Sequence, residues 1–192
     1  MPYYYNAGVL NPSAVQPKGE GADLSSNNLL ERICGTSNKI SIVPSDFPAG
    51  ATVLRSGAFD SNDFVTVSVE LPEGIATIQS GAFNGPMALL KVVLPDSVKT
   101  LESGAFTKGA ETTVVIGGGI DTIQSGNFTG MSKLETLVIK RGDAVPTLQS
   151  PTIDTTALKA IYVADSLVDS YKAASMWSNY SSYFKPLSEW EG

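Results

Sequence analysis

A four-residue phrase returns along this chain at nearly constant intervals: Ser56-Gly57-Ala58-Phe59, Ser80-Gly81-Ala82-Phe83, Ser103-Gly104-Ala105-Phe106 and Ser125-Gly126-Asn127-Phe128. Successive Phe residues are 24, 23 and 22 apart, and a degenerate fifth copy, Ser150-Pro151-Thr152-Ile153, puts Ile153 25 residues after Phe128. A period of about 20–29 residues marks one supersecondary unit stacked on copies of itself. One such unit cannot offset its own ordering entropy, so neighbouring units must share a continuous core.

Aligning the copies produces apolar columns. Upstream of the phrase lie Ala51, Ile75, Val98, Ile120 and Val145, then Leu54, Ile78, Leu101, Ile123 and Leu148. Downstream lies a short alternating strand with Val69, Val92, Val114, Leu137 and Ile161 in one column and Leu71, Leu94, Ile116, Ile139 and Val163 in the next. Residues two apart on a strand share a face, so both columns point inward and stack on their counterparts. The pattern predicts an α/β solenoid: a right-handed leucine-rich-repeat coil with a short-strand parallel sheet and a C-terminal capping helix. Residues 1–37 are read as an N-terminal arm and cap, 38–163 as the solenoid of about five repeats, and 164–192 as a helical and aromatic cap. Replacing Phe83 by Ala is expected to cost about 3–5 kcal/mol through lost burial and a cavity.

Pro72 and Pro95 follow their strands, and Gly117-Gly118-Gly119 falls in the same slot, so all three mark corners between coils. A phosphate-cradling loop would need a following helix and a fixed glycine fingerprint, which the sequence lacks.

The stretch Ile75-Ala76-Thr77-Ile78-Gln79-Ser80-Gly81-Ala82-Phe83, continued by Leu89-Leu90-Lys91-Val92-Val93-Leu94-Pro95, resembles the repeat of the BspA-like leucine-rich-repeat family. The resemblance spans residues 38–163, and Ile161 to Lys172 is similar to the closing segment of many gut-bacterial members. It implies cell-surface or secreted binding and adhesion, and no catalysis. Asn127 departs from the family's Ala, and Pro151-Thr152-Ile153 departs from the whole phrase, which implies looser packing in those coils.

Composition narrows the function classes. Histidine is absent, which removes the usual general base, the usual partner of a Ser or Cys nucleophile and the commonest transition-metal ligand. Cys34 is the single cysteine and is read as a small packing residue. The acids show neither paired spacing nor a calcium-loop pattern, so no enzyme activity, metal or cofactor is expected. Net charge is −6 and the basic residues are scattered, which argues against nucleic acid. No run approaches the roughly 18 apolar residues of a membrane span.

What remains is a binding surface. Between the inward columns lie two outward rows, Ser68, Lys91, Thr113, Thr136 and Ala160, then Glu70, Val93, Val115, Val138 and Tyr162. The apolar second row, with Lys91, Thr113 and Thr136 beside it, is the candidate contact strip for a protein or a cell-surface glycan. β-branched residues also favour strands for reasons unconnected with a ligand. On this reading Val115→Lys weakens binding without unfolding the chain.

Both ends depart from the repeat. Tyr3, Tyr4 and Tyr5 offer contact area with polar tips, read as an anchoring arm to a larger assembly or, equally, as a free terminus or a strand capping the first coil. Leu29, Leu30, Ile33 and Cys34 have helical spacing. Ser166-x-x-Asp169 opens an amphipathic stretch with Leu167, Val168, Tyr171 and Ala174 on one side. Trp177, Tyr180, Tyr183, Phe184 and Trp190 are expected mostly to cover the last coil, an aromatic sugar platform being the sharper alternative. The Met start without a secretory signal suggests a virion or cytoplasmic assembly accessory, such as a phage head or tail appendage. The alternative is a BspA-like surface adhesin, exported if a leader has been removed.

Overall fold

The computed structural model of the chain describes residues 16–17, 22–24, 41–47, 49–59, 68–84 and 89–192. Among these, β3 (Ser41–Ile42), β5 (Ser68–Glu70), β8 (Lys91–Val93), β11 (Thr113–Ile116), β13 (Thr136–Ile139), β15 (Ala160–Val163) and β16 (Phe184–Pro186) form a seven-stranded parallel sheet in that order. Its register is residue for residue: Val92 faces Val114, Val114 faces Leu137, and Leu137 faces Ile161. All four are buried, so the inward column forms a continuous file as the spacing predicted. We call this the valine sheet.

The sequence pointed to one sheet, and the structure adds a second. β1 (Gln16–Pro17), β2 (Ala22–Leu24), β4 (Ala51–Leu54), β6 (Thr77–Ile78), β9 (Thr100–Leu101), β12 (Thr122–Ile123) and β14 (Thr147–Leu148) pair in that order, parallel after the antiparallel β1–β2 pair. From β6 onward each strand is a Thr with an outward-facing side and a buried Ile or Leu. Alternation over two residues is too short to read as a strand, yet stacking supplies the pairing partner that one coil lacks. Ala22–Leu24, assigned to the arm by sequence, therefore lies against β4 in this sheet. Tyr3, Tyr4, Tyr5 and the helical spacing at Leu29–Cys34 lie outside the described residues.

The third side of each coil carries the repeated phrase. β7 (Phe83–Asn84) pairs with β10 (Phe106–Thr107), and a bridge joins Thr107 to Thr129. The four phenylalanines stack in one spine, with ring centroids 4.8, 4.5 and 5.6 Å apart. Offset-stacked rings add about 0.5–1.5 kcal/mol per pair beyond their burial. The phrase glycine has positive φ in all four copies (71°, 70°, 66° and 78°), which is why a side-chain-bearing residue does not take its place. At the next corner, Gly117 and Gly119 lie against the backbone of Pro95 and Asp96 so closely that any Cβ would overlap it. The glycine run is thus a close-packed turn.

Among the described residues, two polar side chains sit in core columns. Asn127 is fully buried, while the Phe106–Phe128 ring pair is wider (5.6 Å) and more tilted (21°) than the two earlier pairs, in line with the looser packing expected in this coil. In the preceding coils the peptide N–H of Ala82 or Ala105 closes the local turn, and the same residue's carbonyl accepts from the Phe one coil earlier. At Asn127 the side-chain amide takes over both tasks: Nδ2 donates to the carbonyls of Gln124 and Glu102 (both 2.9 Å), and Oδ1 accepts from Phe106 N–H (3.2 Å). Glu111 aligns with Leu89, Leu134 and Leu158, because the residues that follow them are joined coil to coil by backbone hydrogen bonds. It is 2% exposed, its Oε2 has no hydrogen-bond partner, and burial pushes its pKa up to about 7.

The chain closes with a 3-10 turn at Asp165–Leu167 and α1 (Val168–Ala173). Ser166 lies inside the 3-10 turn, and the helix start has no side-chain cap. Tyr171, Trp177, Tyr180 and Phe184 are buried over the last coil, with Leu167, Val168, Ala174 and Tyr183 packed at their edge. Trp177 Nε1 donates to Pro146 O (2.7 Å), and Tyr180 Oη accepts from Ile153 N–H (2.9 Å). These two bonds satisfy polar atoms that the degenerate fifth phrase and its lid would otherwise leave buried and unpaired. Among the described residues no helix is long and apolar enough to cross a membrane.

Candidate binding face on the outer side of the valine sheet

Strand pairing brings the candidate strip together as two rows. Glu70, Val93, Val115, Val138, Tyr162 and Lys185 are successive partners across six strands, and Ser68, Lys91, Thr113, Thr136 and Ala160 run beside them. Lys91, Thr113, Thr136, Val93 and Tyr162 are half-buried.

Val115 and Val138, however, are 1% and 0% exposed, which corrects the expectation that they are open to a partner. Both lie outside the continuous core of the solenoid, so something covers them from the outer side. The segment after β16 lies on that side. A 3-10 turn at Leu187–Glu189 sits beside β15, and Ser188 N–H donates to Asp165 Oδ1 (3.0 Å). That hydrogen bond holds the Asp165 carboxyl below its ordinary pKa. Beyond the turn, the Trp190 ring lies 5.8 Å from Lys91 Nζ and 5.9 Å from Lys140 Nζ. Lys91 belongs to the first outward row on β8, and Lys140 is the third outward position of the strand two places along. The point midway on that diagonal is Val115.

The buried valines are thus each worth about 1.5–3 kcal/mol of burial. Val115→Lys is accordingly expected to destabilise the chain, where the sequence alone predicted a folded variant with weakened binding. Trp177, Tyr180 and Phe184 cover the last coil, as expected of most of the C-terminal aromatics, while Trp190 lies on this face.

The accessible face is therefore an aromatic and cationic patch. Half-buried Trp190 stands between Lys91 and Lys140, and Lys185 Nζ lies 6.0 Å from the Tyr162 ring. Neighbouring Arg141 is engaged by Asp121 and Asp143, so Lys140 is the cation left to the face. Lys140, Lys185 and Trp190 were not among the site residues read from sequence. Nothing in the repeat marks them, because the segment after β16 lies beyond the last copy.

Stacked coils with parallel sheets, a phenylalanine spine and a capped end define a leucine-rich-repeat solenoid. The BspA-type leucine-rich-repeat model matches residues 38–179 in six copies, and the chain belongs to that family. Among solved structures, the crystal structure of the pneumococcal vaccine antigen PcpA shares the fold, with a TM-score of 0.52 at 17% identity over 78% of this chain. The match covers 47% of that structure, so the chain spans about half its length. No curated protein matches significantly.

Proposed function

We propose that this chain is a non-catalytic binding module that engages a protein partner through the outer face of the valine sheet. One observation carries the reading: the repeat assigns its columns to packing on the inner face, while Val93, Tyr162, Lys91, Thr113, Thr136 and Trp190 form one surface that the core does not require. Lack of histidine supports a role without acid–base or nucleophilic chemistry. A protein is favoured over a glycan because three of the five aromatics of the alternative sugar platform, Trp177, Tyr180 and Phe184, are buried, which leaves only Tyr183 and Trp190 half-buried. Attachment to a virion or other assembly has the tyrosine arm, Tyr3 to Tyr5, as its support.

The test compares immobilised wild-type chain with Val93→Lys and Tyr162→Ala on the valine sheet and Thr77→Lys on the other sheet, presented with solubilised cell-surface proteins. Binding should fall at least tenfold for the first two and persist for the third, with melting temperatures close to wild type. Equal capture by all four chains would remove this face from the account.

A further inference from the structure

Resting on that reading, we infer that the outer face of the valine sheet is a docking site for a short acidic peptide bearing an aromatic residue, and that Leu187–Glu191 occupies it in cis as a built-in competitor. The segment's chemistry shows what the face accepts. Val115 and Val138 point away from the solenoid core and are nevertheless fully covered, so the face has an apolar floor. Trp190 stands between two ammonium groups, those of Lys91 and Lys140, on a diagonal whose midpoint in the strand register is Val115. Glu189 and Glu191 flank the Trp in sequence, whereas Lys91 and Lys140 stand on either side of its ring and Lys185 lies by Tyr162 on the same face. In a chain of net charge −6, this local run of cations facing an acidic strip is charge complementarity.

The hold is also light enough to be exchanged. Strand pairing ends with β16 at Pro186. Beyond it the segment is held by the Ser188 N–H bond to Asp165, the two cation–π contacts and apolar contact with the face, none of them a strand pairing. A partner segment with the same pattern replaces these contacts one for one, and exposure of the face is then set by competition between the two peptides.

A fluorescently labelled peptide, Leu-Ser-Glu-Trp-Glu-Gly, titrated against the full chain by anisotropy, tests this. Trp190→Ala should bind it at least tenfold more tightly than wild type. Adding Lys91→Glu and Lys140→Glu should reverse that gain, and a peptide with Ala in place of Trp should not bind. Equal binding by wild type and a folded Trp190→Ala chain overturns the proposal and leaves a fixed structural seam. Should Trp190→Ala melt far below wild type, hydrogen exchange on the wild-type chain decides: millimolar peptide should deprotect the backbone of 187–191, and unchanged protection overturns the proposal. Concentration-dependent dimerisation of wild type by ultracentrifugation, abolished by the peptide, also overturns it by making a second copy the occupant. If Val93→Lys still abolishes partner capture while the peptide never binds, the binding face stands and only its peptide chemistry falls.

Discussion

Coils three and four each place a polar residue where the repeat calls for an apolar or small one, and the two are treated oppositely. Asn127 is enclosed yet complete, because its amide reproduces the donor and acceptor of the peptide group that serves the same place in earlier coils. Glu111 stands in a leucine file with one oxygen unpaired and no neighbouring charge contributing to its pKa shift. Polarity in a solenoid core is therefore no defect in itself. The deciding quantity is whether the side chain matches a hydrogen-bonding role that the repeat already contains.

Glu111 gives the largest way to break this contrast. The difference between an ordinary value of 4.5 and about 7 corresponds to about 3 kcal/mol. Glu111→Leu should therefore stabilise the chain by about 3 kcal/mol at pH 8, read as a higher urea midpoint. A loss of stability there would mean that the carboxylate has a partner and that the contrast is false.

The wild-type pH profile makes the same point without mutation. Because the folded-state pKa is raised, the protonated form stabilises the fold; that contribution is whole below pH 4.5 and is lost as pH rises through about 7. Stability should thus decline by up to about 3 kcal/mol across that window and level off above it. Histidine is absent, so no imidazole titration obscures the window. In Glu111→Gln the decline should vanish, and an unchanged slope would assign it to another group.

These particulars show why part of the molecule is legible in sequence and part is not. The columns through Val92, Ile78 and Phe83 repeat often enough for periodicity to reveal them, and each is buried in register. The leucine file through Leu89, Leu134 and Leu158 escapes notice because Glu111 interrupts it in the middle. Strands such as Thr77–Ile78 escape because two residues carry too little alternation. The candidate face was half legible: row membership follows from strand spacing, which fixes Val93, Val115, Val138 and Tyr162 as neighbours. Their exposure depends on what lies over the outer side of the sheet, where Trp190 arrives from beyond the last repeat, and no local pattern encodes a distant segment folding back.

Asn127→Ala comes next in size. It restores the family's residue, yet it should cost about 2 kcal/mol, since the buried N–H of Phe106 loses its acceptor and two carbonyls lose a donor. Thermal melts beside Glu111→Leu would show the two departures with opposite signs. A neutral result would mean that coil four relaxes to the alanine geometry, in which case matching a peptide group is not what makes Asn127 acceptable.

The smallest effect belongs to a bond of the same kind at the surface. Ser103 N–H donates to Gln124 Oε1 (3.2 Å), as Ser80 N–H does to Glu102 Oε2 (3.2 Å), and both bonds clasp adjacent coils where water has access. Gln124→Ala removes the clasp but leaves the serine N–H free to bond solvent, so it should cost about 0.5–1 kcal/mol, less than Asn127→Ala. Because Gln124 keeps its backbone carbonyl, the bond from Asn127 Nδ2 survives the substitution and the two variants separate cleanly. Equal losses in the two melts would show that burial does not set the value of these inter-coil bonds, and the contrast between Asn127 and Glu111 would then need a cause other than desolvation.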